Sequence, residues 1–176
     1  SIKKLSDNLG IPQNEGSFTI SRIEENIENR DSILTIISET YSTADAYLKE
    51  NGRGCTAALI IVGGWIEALY IATQIIKDGN SNQEILEKIA EQKFALTNLI
   101  ELAKTYKDDD DIKYLIPELE NLNEKFENIQ ITYSKGEVIT DEINKTTTLK
   151  SQVTIDVTPE IVSEIGIIVE RIRTSI

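Results

Sequence analysis

CTAALIIVGGWIEALYIATQIIK, residues Cys55 to Lys77, is the most apolar stretch of the chain and carries its only tryptophan, Trp65. A surface helix shows one apolar stripe, whereas a helix apolar on most faces belongs in a core or a membrane. The expectation is a central helix over about 55–77, buried nearly all round, with the other helices laid against it. Within it Glu67, Tyr70 and Gln74 fall at i, i+3 and i+7 and form one polar stripe. Gly63 and Gly64 continue that side one turn earlier. Glycine costs about 1 kcal/mol against alanine in a helix interior. Close approach of a neighbouring backbone is the expected compensation; the alternatives are room for a ligand beside Glu67 and a break in the helix.

The stretch has the length to span a bilayer, about 20 residues. Glu67 falls near its middle, however, where an acid costs about 2.5–3.5 kcal/mol, and Gln74 adds to that. The remaining segments are amphipathic, so no transmembrane helix is expected. At 176 residues the chain is expected to form one domain, 1–176, long enough to bury a core. Net charge is −12, which repels phosphate backbones, and no nucleic-acid partner is expected. There is no His or Met and a single Cys. That excludes imidazole bases, His-based zinc sites, His or Met ligation of haem and an intrachain disulfide. Cys55 reads as a buried small residue, with no His to activate it.

Helix after helix is legible along the chain. Ser1 to Gly16 reads as a short N-terminal clasp. Phe18 to Asn51 reads as one helix with the heptad seam Ile20, Ile23, Ile27, Leu34, Ile37, Tyr41, Ala44 and Leu48. Arg30 breaks the seam, and Asn51-Gly52-Arg53-Gly54 ends the helix. A third helix opens with the capping box Ser81 and Glu84 and runs to about Tyr106, with Gln92 the polar exception on its seam. The run Asp108 to Asp111 lacks the spacing and the glycine of a calcium loop and reads as a helix start. Ile112, Leu115, Leu119, Leu122, Phe126 and Ile129 form a fourth seam, with a kink expected at Pro117. From about 131 to 157 the pattern turns to alternating Thr, Val and Ile, with Gly136 as a turn residue, and predicts a long loop or a small hairpin. Thr158-Pro159-Glu160 starts the last helix. The fold class is all-α, an up-down antiparallel bundle of four to five helices around the buried helix 55–77.

The GGWIEALYIATQ segment and the C-terminal VTPEIVSEIGIIVERIRTSI resemble those of uncharacterised bacterial proteins that carry an export or lipoprotein leader. The resemblance implies the cell envelope or periplasm as location, the cytoplasm being the alternative. It brings no catalytic residues. The chain opens on Ser1, so a tag or leader is expected to have preceded it, with a possible lipid anchor on that leader.

Two functions follow. The first is a non-enzymatic helical module that binds a partner protein or serves a structural role. The second is a sensor-type bundle holding a small molecule near Trp65, Glu67 and Tyr70. A carboxylate hydrolase needs paired acids, and Glu67 stands alone, so no catalytic residue, cofactor or metal ligand is assigned. Lone burial of an ionised carboxylate is too costly to persist. Tyr41, Trp65, Glu67, Tyr70, Gln74 and Gln92 are therefore expected to form a buried polar layer or ligand contacts, with Glu67 bonded by Gln92, Tyr41 or Lys93.

Overall fold

The structure, a computed structural model, describes residues 21–77, 82–141 and 145–176. Among them are six helices and two strands: α1 Arg30–Glu50, α2 Gly54–Lys77, α3 Gln83–Ala90, α4 Gln92–Lys104, α5 Leu115–Glu127, β1 Gln130–Asp141, β2 Thr146–Asp156 and α6 Pro159–Ser175. The chain is thus mostly helical but not all-α, because the region about 131–157 is an antiparallel hairpin. The expected N-terminal clasp lies outside the described residues, as does the turn at Asp78 to Ser81. Residues divide into two compact units, Ser1–Ile60 and Ile61–Ile176.

In the first unit, the predicted helix 18–51 is interrupted. Residues 21–25 are helical, 26–28 turn, and α1 restarts at Arg30 with Asn29 as N-cap, its side chain accepting from Ser32 N at 3.1 Å. Asparagine offers its side chain to the backbone and favours such a start over a helix interior. Ile36 and Leu48 are buried, whereas Ile27, Leu34, Ile37 and Tyr41 of the expected seam are exposed. The end of α1 is a Schellman turn: Arg53 N donates to Leu48 O, Gly52 N donates to Lys49 O, and Gly52 sits at φ 70. Arg53 O then accepts from Ala57 N, so α2 begins at once.

The core of the second unit is the interlock of α4, α5 and α6. Leu96, Leu119, Leu122, Phe126, Ile165 and Ile172 are almost fully buried there. Charged pairs close its edges: Lys104 with Glu120 at 3.0 Å, Lys125 with Glu164 at 2.8 Å, and Arg171 with Glu118. The predicted third helix is divided at Glu91. There the Gln92 side chain donates back to Lys88 O, a side-chain intrusion of the kind that bends helices. Asn82, not Ser81, caps α3. The acidic run 108–111 lies in turns before α5, with Asp109 Oδ1 accepting from Asp111 N and Asp110 paired to Lys113. Because α5 begins at Leu115, Pro117 falls in its first turn, where its missing N–H has no partner to lose, and no kink is required.

The central helix is not buried all round. Val62, Ile66, Leu69, Thr73 and Ile76 are buried, while Gly64, Ala68, Ile71 and Ile75 on the other side are exposed. The close approach expected at the glycine pair is absent at Gly63, where an added Cβ would meet nothing within 4 Å. It occurs instead on α6: a Cβ on Gly166 would lie 3.2 Å from Thr73 Cβ.

The hairpin pairs Gln130 with Asp156 through Asp141 with Thr146. Gly136 lies at a bulge between Ser134 and Glu137, not in the turn. Ile129 and Val157 anchor the base in the core, and Lys93 donates to Ile129 O at 3.3 Å. The cross-strand pair Tyr133 and Val153 is exposed.

Two outcomes follow from this packing. Gly63→Ala should raise stability by about 0.5–1 kcal/mol, because the helix gains and nothing is displaced. Gly166→Ala should lose that gain to overpacking, typically about 1–3 kcal/mol. Urea midpoints of the two variants check this, and equal midpoints would contradict the packing at Thr73. In hydrogen exchange the strand amides should open well before those of α5, since two strands with exposed faces hold marginally by themselves; protection equal to that of α5 would place the hairpin in the core.

Candidate functional site

Of the six residues singled out on the sequence, the five in the second unit do not form one layer. Among the described residues Thr73 is the buried polar side chain, and its hydroxyl donates to Tyr70 O at 2.8 Å. Tyr41 is 45% exposed on α1. The other five lie on or against α2, on two different sides of it.

Glu67 and Tyr70 face α6. Arg173 grips Glu67 with two donors, Nε to Oε2 and Nη2 to Oε1, the second at 3.1 Å. Its guanidinium also lies over the Tyr70 ring, 4.5 Å from the centroid. The planar fork of arginine suits both contacts. This explains how an acid persists in the middle of the most apolar helix: it emerges at a half-exposed edge and is paired there, so neither Gln92, Tyr41 nor Lys93 is its partner. Lys93 pairs with Glu127 at 3.1 Å instead. The hydrogen bond and charge of Arg173 hold the Glu67 carboxyl below its ordinary value of 4.5. Gln74 lines a separate shallow groove of about 140 Å³ between α2 and α6, with Thr73, Lys77, Ser163 and Gly166.

Trp65 and Gln92 meet on the other side of α2. Trp65 Nε1 donates to Gln92 Oε1 at 3.1 Å. Trp65 is half-buried rather than enclosed. The pair ends a groove of about 210 Å³ between α2 and α3, walled by Ala68, Leu69, Ala72, Ile85 and Ile89, with Lys88 at the lip. Small side chains at Ala68 and Ala72 are what leave the space. Gln92, expected as a partner of Glu67, thus lies on a different side of α2 from it.

Among the described residues no three His, Cys, Asp or Glu side chains converge as a metal site. Apolar walls with one satisfied amide suit an apolar group entering the groove. Among the described residues α2 alone is long and apolar enough to cross a membrane by length and composition. Compared with protein-family models, with curated proteins and with solved structures, the chain shows no match.

The Glu67–Arg173 pair has a signed pH dependence. A lowered carboxyl pKa contributes stability above the unfolded value, and that contribution is lost as pH falls through the folded pKa. Both partners are partly exposed, so the effect on stability is small. In a carboxyl NMR titration Glu67 should have its midpoint below 4.5, and Arg173→Gln should move it up. A midpoint unmoved by that substitution would deny the pairing.

Proposed function

We propose that the protein is a non-enzymatic helical module that binds a partner through the exposed face of α2 and the groove beside Trp65. The observation that carries this reading is the exposure of Ile71 and Ile75, 53% and 41%, on the most apolar helix of the chain. Contiguous apolar surface on a water-exposed face marks interaction sites. The groove of about 210 Å³ is below the roughly 300–1,000 Å³ of small-molecule pockets and is sized for a side chain. That favours a macromolecular partner over the sensor reading. The packing of α4 against α5 and of α5 against α6 supports an up-down antiparallel bundle as the scaffold, with the hairpin as the connection between the last two helices. The cell envelope is the compartment this reading assigns, on the likeness of the central and last helices to leader-bearing bacterial proteins.

A photoreactive phenylalanine analogue placed at Ile71, at Ile75 and, as a control, at Thr174 tests the binding surface in cells that make the protein. Discrete adducts from positions 71 and 75 and none from 174 are expected. No adduct, or the same adducts from all three, would overturn the reading.

A further inference from the structure

The turn that closes α1 holds the chain's one Asn-Gly pair, Asn51-Gly52. In such a pair the backbone nitrogen of the glycine can attack the asparagine side chain. The N–Cγ bond forms, the Cγ–Nδ2 bond breaks, and the proton of the Gly52 amide leaves with the side-chain nitrogen as ammonia. Water then opens the five-membered succinimide at either carbonyl, its hydroxyl going to carbon and its proton to nitrogen. The products are aspartate and isoaspartate. Glycine has no side chain to hinder its nitrogen. Both residues are exposed, so burial does not keep water or base from them.

The folded turn blocks the step through geometry. Gly52 N, the attacking atom, donates its hydrogen to Lys49 O at 3.1 Å. Asn51 Nδ2, the leaving group, donates to Tyr47 O at 2.7 Å, which turns the side chain back along α1 and away from Gly52. Ring closure needs Asn51 Cβ and Gly52 N nearly eclipsed about the Cα–C bond, and at the ψ of 17° seen here an L-residue holds them well apart. The bond from Arg53 N to Leu48 O, 2.7 Å, closes the turn around this arrangement. The same turn requires glycine at position 52, where φ is 70°. The residue that the fold demands is therefore the one that makes the opened pair reactive.

We propose that Asn51 is a deamidation site locked by the fold: it stays an amide while the turn at the end of α1 is closed, and converts when that turn opens. Conversion is one-way. Aspartate has no side-chain donor for Tyr47 O, and it puts a negative charge at the C-terminal end of α1, where the helix dipole disfavours it. Isoaspartate lengthens the main chain by one carbon, and the Gly52 and Arg53 bonds lose their register. The modified turn closes less well than the original, so the junction of α1 and α2 keeps a permanent record of having opened.

The test holds the full chain at neutral pH in buffer and in urea, and follows Asn51 by peptide mapping with digestion in acid, where the ring closes slowly. Conversion should be roughly tenfold or more slower in buffer than in urea, because the turn must open first. Hydrogen exchange on the unchanged protein should show the Gly52 amide protected by a similar factor, since release of that N–H precedes both events. Arg53→Pro removes the N–H that donates to Leu48 O, and Arg53→Ala keeps it. Arg53→Pro should bring the rate in buffer closer to its own rate in urea than Arg53→Ala does, with circular dichroism verifying that both are helical. Asn51→Asp should lower the urea midpoint. Equal rates in buffer and urea, or no conversion in urea, would overturn the proposal. So would slow conversion beside an unprotected Gly52 amide, a folded Arg53→Pro chain no faster than Arg53→Ala, or an Asn51→Asp chain of undiminished midpoint.

Discussion

A helix can hide only the face that its neighbours reach. Ridges of one helix enter grooves of the next along a narrow strip, so an element apolar on more than one side must find a second neighbour or leave a side in water. α4, α5 and α6 each carry one apolar face and satisfy one another. α2 carries more apolar surface than that. Its inner side joins the core through Val62, Ile66 and Leu69, and the surplus is left as the Ile71 and Ile75 stripe. The exposed stripe is a consequence of that mismatch between what α2 offers and what its neighbours among the described residues cover.

The two long edges of α2 are treated differently by the chain. On the α6 side, Arg173 closes over Glu67 and Tyr70, and Thr73 is packed against Gly166. Glu67, Arg173 and Thr73 are engaged there by contacts within the chain. On the α3 side, a single hydrogen bond joins Trp65 to Gln92 and small residues leave a trough. Both edges keep a groove, but the one beside α6 is bridged by an ion pair and the one beside α3 by a single neutral hydrogen bond.

Period and caps were legible in the sequence; neighbours were not. α2 was placed within one residue at its start, and Thr158 and Pro159 open α6 as their chemistry requires. The hairpin was one of two readings, beside a long loop, of the alternation that includes Val153 and Ile155. The interruption before Arg30 was signalled by Asn26 and Asn29, but an unbroken heptad drawn through them concealed it. The burial of α2 was overestimated because hydrophobicity measures what a helix would gain from cover, and says nothing of how many neighbours can supply it. The partner of Glu67 lay 106 residues away. The partners expected on the sequence, Gln92, Tyr41 and Lys93, belong to the helices expected next to α2 in the chain, whereas Arg173 lies in the last turn of α6.

The bulge in β1 has a bearing on solubility. It splits the ladder into two runs of five pairs, Gln130 to Ser134 and Glu137 to Asp141. A two-stranded ribbon has two open edges, and a long flat edge is a template on which other chains can add as strands. The extra residue bends and over-twists β1 midway. Neither edge then stays straight for more than about half its length, and a chain rich in β-branched residues can carry an eleven-residue strand in water without presenting a continuous surface for aggregation.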